Sequence, residues 1–233
     1  MNINIQRLEI VARGLMALPT QVVFVGGATS SLYTDVKGAE FRPTDDIDCI
    51  VEVLSKFQFT ELSEQLRACG FKHDTRAEAP ICRWIYSDII VDVMPLVEEI
   101  LGFSNRWYEQ GYKHREQYEL PSGAVIHILP LAYFIATKLE AFNSRGHNDC
   151  RGSSDIEDIL LVIDGCQEWE AKVAKSDIGV GEYLQKEFQL LLGRDDFREA
   201  AFGCISPHEA SRAEKIVRRL ERFCSTTPSD EKK

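Results

Sequence analysis

Close to Pro130 the apolar pattern of the chain changes its period. Before that point short runs of β-branched and aromatic residues alternate with helical stretches; after it, apolar residues recur almost only at helical spacing. Val22–Val25 predicts a short strand, punctuated by Gly26-Gly27 and followed by a helix-like stretch from Ala28 to Tyr33. Asp46–Val53 predicts a second strand. Phe59–Cys69 has helical spacing through Phe59, Leu62 and Leu66 and stops at Gly70, the residue type that caps a helix C-terminus. Ile81–Tyr86 and Ile89–Met94 predict two strands joined by a hairpin at Ser87-Asp88, and Val125–Leu129 one more. Helices are then predicted over Leu131–Phe142, Ser154–Ile163, Glu168–Ala174, Ile178–Leu192 and Pro207–Phe223, with Ser176 as N-cap of the fourth. The expected class is α+β, a mixed sheet with flanking helices followed by a helical C-terminal part. The expected domains are 1–129, an α/β domain, and 130–224, a helical one, with a polar tail over 225–233.

Composition removes several classes of protein. With 233 residues, 44% hydrophobic and 27% charged, the chain is too apolar for disorder and long enough for one large domain or two small ones. No apolar run approaches the roughly 18 residues that span a bilayer, and the first residues lack a basic stretch followed by an apolar one, so neither a membrane nor a secreted protein is expected. The net charge of −10 argues against coating nucleic acid non-specifically. Seven cysteines, an odd number with no CxxC pair, predict reduced thiols in the cytoplasm rather than a disulfide frame or a zinc site. The five histidines show no ligand spacing either.

The segment from Thr44 to Val51 carries the strongest chemical signal. Side chains two apart on a strand share a face, so Asp46 and Asp48 project together while Ile47 and Cys49 point the other way. Like charges side by side need a positive partner, and a hard divalent cation such as Mg²⁺ suits carboxylate oxygens; the alternative is a solvated strand end. Asp92 lies inside an otherwise apolar run, and on a neighbouring strand it would complete a cluster for two metals roughly 3.5–4 Å apart. Its alternative is a salt bridge to Arg83 or to an arginine elsewhere in the chain. Gly26 and Gly27, at a strand-to-helix turn, let backbone N–H groups approach an anion, and Ser30 and Ser31 offer hydroxyl donors to a phosphate. The alternative there is a tight turn. Neither the Walker pattern nor GxGxxG is present.

Two features of the helical half complete the inventory. Lys138 is the one cation in an apolar helix, placed either to reach a phosphate or to snorkel at the surface. Asp155, Glu157 and Asp158 follow Ser153 and Ser154, where a cap and the helix dipole alone would explain them. Near the end, Arg212, Lys215, Arg218, Arg219 and Arg222 form a basic stripe beside Ile216, Val217, Leu220 and Phe223. Such a stripe can meet an RNA backbone, but a solvated face paired with Glu214 and Glu221 is the preferred reading. Lys113, His114 and Arg115 make a second small basic cluster.

Gly-Gly, then an Asp-x-Asp strand, then a third strand aspartate resemble the nucleotidyltransferase fold of the polymerase-beta superfamily. The resemblance implies that Gly26 and Gly27 hold a triphosphate, that Asp46 and Asp48 bind two Mg²⁺ ions, and that Asp92 completes the second site and helps activate an acceptor hydroxyl. One departure is the long separation of Gly27 from Asp46, with Asp35 to Arg42 placed as an inserted loop. The order P-L-x-x-x-I-A-x-K-L-x-A, an Arg-containing loop and S-x-D-I-x-D-I is similar to the AbiEii-type nucleotidyltransferase toxins, which implies that Lys138, Asp155 and Asp158 complete the nucleotide pocket. The implied activity moves an NMP from an NTP such as ATP to a hydroxyl of RNA, a tRNA end or a protein, with a cognate antitoxin as partner. A small-molecule acceptor of the aminoglycoside kind and a non-catalytic nucleotide-binding module are the alternatives.

Overall fold

The computed structural model describes residues 2–35, 41–145, 149–204 and 210–226. Positions 36–40 of the expected inserted loop, His147, the first residues of the helix expected from Pro207, including His208, and the tail beyond 226 lie outside the described residues. Internal contacts divide the chain into two compact units: Met1–Thr29 with Arg42–Pro130, and Ser30–Phe41 with Leu131–Lys233.

The first unit is built on a seven-stranded mixed sheet. Its elements are α1 (Ile3–Leu15), β1 (Val22–Val25), β2 (Asp46–Val51), α2 (Lys56–Ala68), β3 (Lys72–His73), β4 (Arg83–Tyr86), β5 (Ile89–Pro95), α3 (Glu98–Leu101), α4 (Tyr108–Lys113), β6 (Glu116–Glu119) and β7 (Val125–Ile128). Strands lie in the order β3-β4-β5-β2-β1-β7-β6. β2 is central, antiparallel to β1 and parallel to β5, and β1 runs parallel to β7. The mixed sheet with flanking helices is the expected α+β class. Its core is made by Val23, Val25, Ile47, Cys49, Ile50, Val51, Val91 and Val93, all essentially inaccessible to solvent. α1 presents Leu8, Val11, Ala12 and Leu15, spaced i, i+3, i+4, i+7, to this core. The sequence reading passed over α1, although Asn2 is a regular N-cap whose side chain accepts the Asn4 N–H.

The β4–β5 hairpin forms at Ser87-Asp88 as expected. Both residues have positive φ (49° and 62°), the mirror-image turn whose twist matches the flanking strands. Boundaries differ elsewhere. The stretch from Ala28 to Tyr33 is a 3-10 helix, Gly27–Tyr33, rather than an α-helix, and the boundary between the units falls within it. β2 ends at Val51, two residues early, and α2 begins at Lys56, where the Ser55 side chain accepts the Gln58 N–H. β3 and β6 were not anticipated, because one is two residues long and the other, Glu-Gln-Tyr-Glu, has no apolar alternation of its own. β6 takes its register from β7.

The second unit is helical: α5 (Leu131–Ser144), α6 (Ser154–Gly165), α7 (Trp169–Ala174), α8 (Ile178–Leu192), α9 (Asp195–Gly203) and α10 (Ala210–Ser225). Ser153 caps α6 by accepting the Ile156 N–H. Ser176 does not cap α8; Asp177 holds that position, and the Ser176 hydroxyl donates instead to the Val173 carbonyl at 2.5 Å, closing α7. α9 was also missed by periodicity.

Part of the basic stripe of α10 is used internally. Arg212 pairs with Asp164, Arg218 with Glu214 at 3.1 Å, and Glu221 is taken by Arg198 at 3.2 Å. Arg219 is only 9% exposed, so for this residue the solvated-face reading is wrong. Its guanidinium donates to the carbonyls of Ile163, Cys166 and Gln167 at 2.7–3.0 Å and to both Glu170 oxygens at 2.9 and 2.6 Å. Carbonyls at the end of α6, left without intrahelical donors, thereby find a cation at the negative pole of the helix. Arg219→Ala should cost about 3 kcal/mol, as expected when one partner of a buried ion pair is removed; an unchanged urea unfolding midpoint would refute this anchoring role.

Candidate metal centre

The centre begins with the parallel pairing of β2 and β5, which sets Asp48 directly beside Asp92 and Asp46 beside Ile90. Asp46, Asp48 and Asp92 then share one side of the sheet, each with a carboxylate oxygen within 4.8 Å of the others. Asp46 and Asp48 are half-buried and Asp92 is 7% exposed. The strand adjacency on which the expected cluster depended is therefore present, and three hard oxygen donors converge as a divalent cation such as Mg²⁺ requires.

Gly26 fits around this cluster. It follows Val25, the antiparallel partner of Asp48, and turns with φ +73°. A Cβ built there would lie 2.0 Å from Asp48 Oδ2, so only glycine leaves the carboxylate its place. The Gly26 carbonyl accepts the N–H and the hydroxyl of Thr29, at 3.3 and 2.9 Å, which bends the chain into the 3-10 helix beginning at Gly27. Ser30, on that helix, is fully buried, and its hydroxyl has no hydrogen-bond partner among the described residues.

On the other flank the approach to β2 is clamped by α1. Asn4, 1% exposed, donates to the Arg42 carbonyl at 2.9 Å and accepts the Thr44 N–H at 3.0 Å, while Arg7 donates to the Thr44 carbonyl. The Thr44 hydroxyl in turn donates to the Asp46 carbonyl at 2.9 Å. Sequence reasoning missed Asn4 and Arg7, because contacts across some 40 residues leave no local signal.

Arg83 is the cation of the site. On β4 it is the direct cross-strand partner of Asp92 and grips it with both arms: Nε to Oδ1 at 2.8 Å and Nη2 to Oδ2 at 2.7 Å. Nη2 also stands 3.7 Å from Asp46 Oδ2. The metal-cluster and salt-bridge readings of Asp92 thus both describe real geometry. One guanidinium against three carboxylates leaves two negative charges, so the donor set still fits a divalent cation.

The electrostatics follow. Burial, and then the neighbouring Asp92, push the Asp46 carboxyl above its ordinary value, with Arg83 opposing them. Burial, and then the Asp48 and Asp92 charges, raise the Cys49 thiol well above its usual range, and chiefly burial pushes Cys82 up to about 12. Neither sulfur is a thiolate at neutral pH, so the cysteines beside the cluster are packing residues.

Lys138 lies in the helical unit and is 7% exposed, which overturns the snorkelling alternative. Its ammonium donates to Asp158 at 2.6 Å and Asp155 at 3.2 Å, and Arg145 reaches Asp155 at 3.0 Å. The structure thus joins these three predicted residues in one buried ion cluster of their own.

Comparison with protein-family models finds no match, and neither does comparison with curated proteins. Among solved structures the chain is similar to an antigenic nucleotidyltransferase-like protein from Paracoccidioides brasiliensis, with 15% identity and a TM-score of 0.47 over 91% of this chain and 92% of that one.

Two outcomes test the centre. Gly26→Ala forces a side chain into a left-handed backbone and onto Asp48, so it should cost about 1–2 kcal/mol and weaken cation binding; unchanged Mn²⁺ affinity would show that the close approach is irrelevant. For Asp46, whose carboxyl is raised, ionisation penalises the fold in full above the raised value, and the penalty fades as pH falls towards 3.8. A bound cation offsets that penalty, so the melting-temperature gain from Mn²⁺ should be largest near neutral pH and vanish on acidification as protons compete. A pH-independent gain would place the ion elsewhere.

Proposed function

We propose that this protein is a Mg²⁺-dependent nucleotidyltransferase that moves an NMP from an NTP to a hydroxyl acceptor. The observation that carries the reading is the in-register Asp48–Asp92 pair with Asp46 beside it and the positive-φ Gly26 fitted against Asp48. Two bound Mg²⁺ ions would supply charge neutralisation of the phosphates and polarisation of the α-phosphorus. Asp46 and Asp48 would hold those ions. Asp92 would complete the second position and, once free of Arg83, take the proton of the acceptor hydroxyl, while Gly26 and Gly27 would bring the backbone close to the triphosphate. In-line attack of that oxygen on the α-phosphorus forms the new phosphoester bond and expels pyrophosphate.

Lys138, Asp155 and Asp158 are assigned to the nucleotide by the sequence resemblance alone, since their mutual ion pairs account for them without a ligand. The acceptor we propose is RNA, a tRNA end or a protein hydroxyl, with ATP among the donors and a cognate antitoxin as partner. A reducing, cytoplasmic setting is supported by seven free cysteines. Among the described residues no helix is long and apolar enough to cross a membrane. One observation favours a rival, the non-catalytic module of the same fold: the forked Arg83–Asp92 pair occupies both oxygens of the third carboxylate.

Thermal shifts with each of the four NTPs, with and without Mg²⁺, separate the two. A nucleotide at about 100 times Kd should stabilise the fold by roughly 2.7 kcal/mol. The catalytic reading expects a Mg²⁺-dependent shift that Asp48→Asn abolishes, together with transfer of label from an α-labelled NTP. A shift that survives without Mg²⁺ and in Asp48→Asn leaves the binding module standing and removes the enzyme.

A further inference from the structure

Resting on the nucleotidyltransferase reading, we propose that Arg83 is a resident counter-ion that Asp92 must release before the centre accepts a second cation. Arg83 and Asp92 are direct cross-strand neighbours, the fourth pair out from a two-residue turn, so the hairpin register fixes their backbones relative to each other. The two N–H···O contacts at 2.8 and 2.7 Å engage both oxygens of Asp92, and Asp46 Oδ2 is 3.7 Å from the same guanidinium nitrogen. The guanidinium therefore stands between the two outer carboxylates, where a cation shared by Asp46 and Asp92 would also have to be held.

Charge sets the order of events. Three carboxylates and one guanidinium carry two net negative charges, which a single divalent cation at Asp46 and Asp48 neutralises. A second divalent ion would then enter a neutral centre against the Arg83 charge a few ångströms away, which is unfavourable unless Arg83 withdraws. Withdrawal is open to it: the Arg83 side chain is 26% exposed and the Asp92 side chain, taken alone, only 11%, so the long arginine can move while the short aspartate stays. A guanidinium freed from a carboxylate presents the same planar fork to a phosphate, which links release of Asp92 to the arrival of the triphosphate. Arg83 is on this account a positioning residue that makes metal loading stepwise and keeps the third carboxylate inactive until substrate is present.

The test is a Mn²⁺ titration of the full chain followed by electron paramagnetic resonance, without nucleotide, on wild type, Arg83→Gln, Arg83→Lys and Asp48→Asn. Wild type should bind one Mn²⁺, and Arg83→Gln a second at least roughly tenfold more tightly than wild type does, as removal of a unit charge at this separation predicts. Arg83→Lys keeps the charge without the fork and should fall between them; it decides the matter if the glutamine variant does not fold. A merely structural Arg83 would lower the melting temperature without adding a Mn²⁺ ion. Equal stoichiometry and affinity in wild type and both Arg83 variants, with binding lost in Asp48→Asn, overturns the Arg83 proposal and spares the metal centre. No Mn²⁺ binding by wild type overturns both.

Discussion

Three carboxylates held within 4.8 Å of one another repel, by roughly 3 kcal/mol for each pair at an effective dielectric of about 20. The figure is smaller at Asp46, whose carboxylate still meets water. The arrangement persists because the opposite faces of the same strands are spent on the core. Ile47 and Cys49 alternate with Asp46 and Asp48, and Val91 and Val93 flank Asp92, each fully buried at about 1.5–3 kcal/mol for a side chain of valine or isoleucine size. A one-residue slip of β2 against β5 would drive aspartates into that core, so hydrophobic burial and charge repulsion are coupled through the register. Arg83 offsets part of the repulsion, and a divalent cation is suited to offset the rest.

What surrounds the cluster serves to keep that register and leave it room. Gly26 permits a close approach that any side chain would block, and its carbonyl is satisfied by Thr29, so the turn is rigid without a side chain of its own. Asn4 and Arg7 hold the backbone of Arg42 and Thr44, in the short stretch that leads into the paired aspartates. Buried amide groups of this kind are costly to leave unpaired, which is why one helical asparagine fixes the start of the central strand.

The helical unit solves a different problem with similar chemistry. Lys138, Asp155, Asp158 and Arg145 neutralise one another between α5 and α6, and Arg219 ties α10 to the end of α6. Buried ion pairs add little net stability over apolar packing, whereas removing one partner and leaving the other buried is costly.

The carboxylate pair, the third aspartate, the glycine turn and the β4–β5 hairpin were all legible in the sequence. Each rests on a local rule: period-two alternation, a charge in an apolar run, a residue free to take positive φ. Arg83 was one of the salt-bridge partners the sequence offered Asp92, and the β4–β5 register is what sets it directly opposite. The same rules left Lys138 between two readings and placed Arg219 on a solvated stripe, because periodicity gives the face of a helix and not what another helix brings to it. The strand order that joins β2 to β5, the α1 clamp on Thr44 and the polar edge strand β6 came only from the folded chain. The sequence by itself determined which residues carry charge and which short segments turn, through steric and dihedral preferences a few residues long. The tertiary structure alone decided which charges meet, because Coulomb energy depends on distances that the chain sets only when it folds.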